Sequence, residues 1–65
     1  MNESKEVIIE EKNELNEKIE KLEAFTHSED FQRMNEKQMW LLNMQLSAMS
    51  IYRQTLVDRI AWLES

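Results

Sequence analysis

Gln45, Tyr52 and Arg59 recur every seven residues, so any helix that holds them presents them on one face. The row offers an amide, a phenol and a guanidinium amid apolar neighbours. A guanidinium grips phosphate or carboxylate through two parallel hydrogen bonds, and an aromatic plane can stack on a nucleobase. Such a row suits a small nucleotide caught between copies of the chain. An ordinary polar interface would use the same residues, and spacing alone favours the interface. Lys18, Lys21 and Arg53 also lie near apolar rows. Taken singly, each is explained by a stem that covers a core edge while its charged head reaches water. Phe25, Trp40 and Trp62 can stack on a ligand, although core or interface packing is the commoner use of such rings.

Other chemistries find less to work with. His27 stands in a polar stretch beside Glu29 and Asp30. General acid–base catalysis needs a positioned donor and acceptor in a cleft, and a chain of 65 residues built as a hairpin has no deep cleft of its own. The expectation is a protein that is not an enzyme. There is no cysteine, hence no disulfide and no thiolate metal site. One histidine makes no zinc site without several well-placed carboxylates, so neither a metal nor a cofactor is expected. The acids around Glu10-Glu11 are interspersed with lysines and read as a solvated helix face. A net charge of −5 argues against binding polymeric DNA or RNA, yet allows a small anion held by local cations. Mimicry of nucleic acid by an acidic inhibitor would rest on the charge of the first helix alone.

The elements that position these residues are helical. Glycine and proline are both absent, and Glu, Lys, Leu, Met and Gln abound; these side chains lose little freedom in a helix. The pattern predicts a single domain over 1–65, with a first helix at about 4–25, a connection at 26–35 and a second helix at about 36–63. In the first, Ile8, Leu15 and Leu22 recur every seven residues and Ile19 fills the intervening turn. Glu14 with Lys18 and Glu17 with Lys21 stand at i,i+4 in the favourable order. In the connection, Ser28 can cap a short helix and Phe31 can plug the end of the hairpin. Asn35, with Gln38 three residues on and Met34 and Met39 on either side, signals the start of the second helix. No apolar run approaches the ~20 residues that span a bilayer. The acidic, polar start Met1-Asn2-Glu3-Ser4 is unlike a signal peptide.

The second helix is apolar on more than one side. Leu42, Met49, Leu56 and Leu63 form one seven-residue row, flanked by Met39, Leu46 and Ile60. Around the rest of the cylinder stand Trp40, Leu41, Met44, Ala48, Ile51, Tyr52, Val57 and Trp62. One partner helix cannot cover both sets, and a surplus of this kind marks an interface. A short chain without disulfide or metal also needs some staple, and association with other chains supplies one. The expected fold is therefore all-α: an antiparallel two-helix hairpin with a short helical turn, assembled as an oligomeric helical bundle. Trp40, Leu41, Met44, Ala48, Ile51 and Trp62 are its candidate oligomer interface.

Two segments carry a family resemblance. The first is Glu17-Lys18-Ile19-Glu20-Lys21-Leu22-Glu23-Ala24-Phe25, and the second is Leu41-Leu42, Gln45-Leu46, Met49, Tyr52, Leu56 and Arg59-Ile60, with Phe31 between them. This arrangement, over roughly residues 8–62, resembles a family of small bacteriophage helical-hairpin proteins. The family includes the anti-CBASS cyclic-oligonucleotide sponges and the hairpin portion of one class of Thoeris anti-defense sponges. The resemblance implies a homo-oligomer, typically a hexamer, with pockets between protomers. It implies capture of cyclic di- or trinucleotide immune signals without cleavage, in the cytoplasm of the infected bacterial host, so that immune effectors stay off. It also implies ligand-binding roles for Lys18 or Lys21 at the end of the first helix, and for Tyr52 and Arg59 with Gln45 along the second. Glu6-Val7-Ile8 stands where some members carry an aromatic residue against a base. The rival expectation is an oligomeric, coiled-coil-like protein-interaction module with no nucleotide ligand.

Overall fold

The computed structural model describes residues 4–65 and is helical throughout apart from caps and turns. The signal-peptide reading of the chain start falls largely on Met1, Asn2 and Glu3, which lie outside the described residues. Three helices follow in order: α1 over Lys5–Thr26, α2 over Glu29–Gln32 and α3 over Glu36–Glu64. The described residues contain no strand. No helix among them is long and apolar enough to cross a membrane.

Each helix starts on a side-chain cap that accepts an otherwise orphaned backbone N–H. Ser4 Oγ accepts from Val7 at 3.3 Å, Ser28 Oγ from Phe31 at 3.2 Å, and Asn35 Oδ1 from Gln38 at 2.8 Å. The chain reverses without glycine because caps follow one another closely. Ser28 donates its hydroxyl to the Phe25 carbonyl at 2.6 Å and its backbone N–H to the same carbonyl at 2.9 Å. One residue thereby closes α1 and opens α2, and no described residue adopts a positive φ. Phe31, on the single turn of α2, is 6% exposed and meets the Phe25 ring edge-on at 6.1 Å. It closes the turn end of the hairpin.

Helices α1 and α3 pack antiparallel. Lys5 pairs with Glu64 at 3.4 Å at the open end, and Arg53 donates to Asn16 Oδ1 at 2.7 Å midway. The core between them is thin. Ile8, Ile19 and Leu56 are essentially inaccessible, while Leu15, Leu22, Leu42, Leu46, Met49 and Ile60 are half-buried. Two helices in contact cover only one side of each other, so only the innermost residues lose all their water. Leu63, last of the seven-residue row, is exposed because α1 runs out beside it. The second apolar set stays outside: Trp40 is 55% exposed, Ile51 70% and Trp62 78%.

Candidate functional site

An open groove of about 370 Å³ lies between the last turns of α1 and the first half of α3, lined by Lys18, Lys21, Leu22, Phe25, Gln45 and Met49. Its position follows from the fold. Leu22 and Met49 are half-buried seam residues from the two helices, and Phe25 is steadied at the turn by Phe31. Lys18 and Lys21 stand one turn apart on α1, so their side chains are neighbours on its surface. Gln45 comes from α3 and donates weakly to the Met49 thioether at 4.0 Å. A thioether is a poor acceptor, and a better one entering the groove would recruit that amide.

The lysines do not behave as the i,i+4 pattern suggests. Among the described residues neither Lys18 nor Lys21 forms an ion pair, with Glu14 and Glu17 or with any other acid. Exposed pairs of that kind contribute only a few tenths of a kcal/mol, too little to hold a flexible side chain against its helix. Both stems lie instead along the groove. The result is two positive charges beside an apolar and aromatic floor, with a neutral amide donor opposite. That set can receive a small anion that also carries a flat or apolar body.

The structure brings together Lys18, Lys21 and Gln45 of the candidate ligand-binding residues. Tyr52 and Arg59 do not line this groove. They continue the Gln45 row along α3, about 10 and 21 Å further at 1.5 Å per residue. The Tyr52 hydroxyl donates to the Glu11 carboxylate of α1, and Arg59 is exposed. Next to Tyr52, a polar chain crosses the helix pair: Arg53 donates to Asn16, and Asn16 donates to Glu20 at 3.1 Å. Leu22 and Met49 line the groove although spacing places them in the seam, and Phe25 combines both roles. For Leu22 and Phe25 the one signal is location, since both stand just before the break in the helical pattern, whereas Met49, well inside α3, carries no such signal.

The remaining candidates are dispersed. His27 is exposed and caps the end of α1 with its backbone N–H on Ala24 at 3.1 Å. Among the described residues no group of three His, Cys, Asp or Glu side chains is placed to hold a metal ion. Trp40, Leu41, Met44, Ala48, Ile51 and Trp62 are all exposed on the outside of α3, and the Lys37 ammonium lies 5.1 Å from the centre of the Trp40 ring.

The family model described as Sequestin matches residues 2–62. No curated protein and no solved structure matches the chain. The match spans nearly the whole chain, and the chain belongs to the Sequestin family.

Proposed function

We propose that this member of the Sequestin family captures a cyclic di- or trinucleotide immune signal and withholds it, uncleaved, from the host's effectors. It would act as a phage anti-defense sponge in the cytoplasm of the infected bacterium, by stoichiometric binding rather than turnover. The observation that carries the reading is the groove in which Lys18 and Lys21 stand over Leu22, Phe25 and Met49, with Gln45 opposite. Ammonium groups there can pair with phosphate oxygens through charge-assisted hydrogen bonds. Phe25 and Met49 offer the apolar contact a base requires, and Gln45 offers an amide for a base edge or a phosphate. The family's name, which speaks of sequestration, supports the same class of function.

The chain's negative charge is compatible with an anionic ligand. Solvent-exposed charges beyond about 8–10 Å are largely screened at physiological salt, so the two nearby lysines dominate the groove. In this reading the working unit is a homo-oligomer, a hexamer by the family resemblance. Arg59 then acts on the ligand only through a neighbouring copy, because within one chain it lies about 15 Å beyond Met49 along α3. Tyr52 stands one turn from Met49, with its hydroxyl taken up by Glu11.

A ligand that binds only the folded state stabilises it by about 2.7 kcal/mol when present at about 100 times Kd. The test is a thermal-shift screen against cyclic di- and trinucleotides. At least one should raise Tm, and that ligand should be recovered chemically intact after release. If none shifts Tm, the reading fails, and the exposed outer side of α3 favours the alternative of a protein-interaction module.

A further inference from the structure

The seam of the hairpin uses one side of α3. At 100° per residue, Lys37, Trp40, Met44, Ala48, Ile51 and Trp62 project within about 40° of a single line on the opposite side. This stripe extends for about 38 Å. Among the described residues no element covers it, since α1 lies against the other side and α2 is one turn at the closed end. We propose that the stripe is the surface on which two copies of this chain pair, with their α3 helices antiparallel, about a two-fold axis beside Ala48 and Ile51. This gives geometry to the homo-oligomeric part of the function proposed above and rests on that part alone.

Two features single out a second copy, and its direction, once the stripe is overlaid on an antiparallel copy about its midpoint between Met49 and Ser50. Its residues then interlock by size. Ala48 comes level with Ile51 of the partner subunit, Met44 with the smaller Thr55, and Trp62 with the long stem of Lys37. The charges also agree. Lys37 and Asp58 stand near opposite ends of the same side of α3, so the antiparallel arrangement brings Lys37 of one copy to within about 6 Å along the axis of Asp58 of the other. A parallel arrangement would set Lys37 on Lys37, Asp58 on Asp58 and Trp40 on Trp40. The two-fold axis leaves both lysine-lined grooves opening on one face of the pair, where neither is covered by the contact.

The chain contains no cysteine, so one introduced thiol reports one position. A disulfide forms only where the Cα atoms come within about 7 Å. In the proposed pair the two copies of residue 48 are within that reach, offset axially by about 4.5 Å. The copies of residue 44, and likewise of residue 55, are about 17 Å apart along the axis, whereas residue 44 of one copy is level with residue 55 of the other. The experiment is mild oxidation of Ala48→Cys, Met44→Cys and Thr55→Cys proteins, each alone and the last two mixed, read on non-reducing gels. All three positions are exposed, and far-UV circular dichroism verifies that each variant is folded. Expected are a covalent dimer of Ala48→Cys, little dimer from Met44→Cys or Thr55→Cys alone, and a mixed dimer from the two together. Self-linkage of Met44→Cys and Thr55→Cys would mean a parallel contact, and no linkage at any position would mean that this face does not pair copies. Either result overturns the proposal. The readout involves no nucleotide, so its failure is separate from failure of ligand capture, which the thermal-shift screen reports.

Discussion

Helices α1 and α3 cross the same seam, yet they are built for different surroundings. Residues 1–25, mostly α1, hold eight acids and four bases, whereas residues 36–65, mostly α3, hold three of each. Helix α1 has one apolar row and, apart from Val7 and Ile9 near its start, is mostly charged or polar elsewhere, so a single neighbour covers most of its apolar surface. Helix α3 is apolar on both sides: Leu56 is fully buried against α1, while Trp62 on the outside is 78% exposed. Two helices of one hairpin thus carry separate duties. The seam makes the fold, and the far side of α3 is left over from it. The groove with Lys18 and Lys21 lies at the boundary, where the charged helix meets the apolar one.

The sharpest way to break this division is to remove similar groups from the two sides of α3. Leu56→Ala or, on α1, Ile19→Ala should cost about 2–5 kcal/mol, because each empties a site with no access to water. Ile51→Ala, on the outer side, should change the folding free energy of a single hairpin by no more than about 0.5 kcal/mol. Its effect belongs to association, read as a loss of oligomer in sedimentation. Urea denaturation at low and high protein concentration checks both. If Ile51→Ala matched Leu56→Ala at low concentration, where copies are apart, seam and outer face would not be separate.

A smaller effect concerns the polar chain inside the seam. Arg53→Ala removes the donor to Asn16 and leaves that side-chain oxygen partly buried without its partner. The expected loss is about 1–3 kcal/mol. Arg53→Met, which keeps the stem, should recover part of it, since the stem also packs. A loss of less than a few tenths for Arg53→Ala would mean that the seam is held by apolar contact alone. Next in order stands the start of α3. Asn35→Ala should cost about 1 kcal/mol, through the 2.8 Å bond to the Gln38 N–H, and Asn35→Ser should restore most of it.

Much of this architecture is legible from residue types and spacing. Missing glycine and proline, the recurrence of Ile8, Leu15 and Leu22, and the Asn35–Gln38 pair imply helices and the break between them. Depth is not legible in the same way. Leu15 and Leu56 belong to similar rows, yet only Leu56 is fully buried, because depth depends on how two cylinders approach. The groove follows the same rule. Lys18, Lys21 and Gln45 are recognisable as polar residues beside apolar rows. That Leu22, Phe25 and Met49 leave open space among them depends on where Phe31 closes the hairpin, which no local pattern encodes. Tyr52 and Arg59 share a row with Gln45, but the row runs along α3 and the groove takes in only its first member.

The smallest expected effect on stability carries the most information about function. Lys18→Ala and Lys21→Ala remove exposed charges that make no ion pair among the described residues, so each should alter unfolding free energy by no more than about 0.5 kcal/mol. Both stems line the groove, and each ammonium is an isolated donor that a phosphate can take up without breaking an existing contact. Loss of one charge-assisted hydrogen bond should weaken ligand binding by about 1.5–3 kcal/mol, roughly 10- to 150-fold. The ligand-induced rise in Tm should therefore shrink sharply in either variant while the ligand-free Tm stays in place. Lys→Arg at the same positions should keep most of the rise, since charge is kept. Phe25→Leu should reduce the rise by less, because it removes a stacking plane but leaves both cations. Unchanged ligand stabilisation in the Lys18→Ala, Lys21→Ala double variant would move the binding site out of this groove altogether.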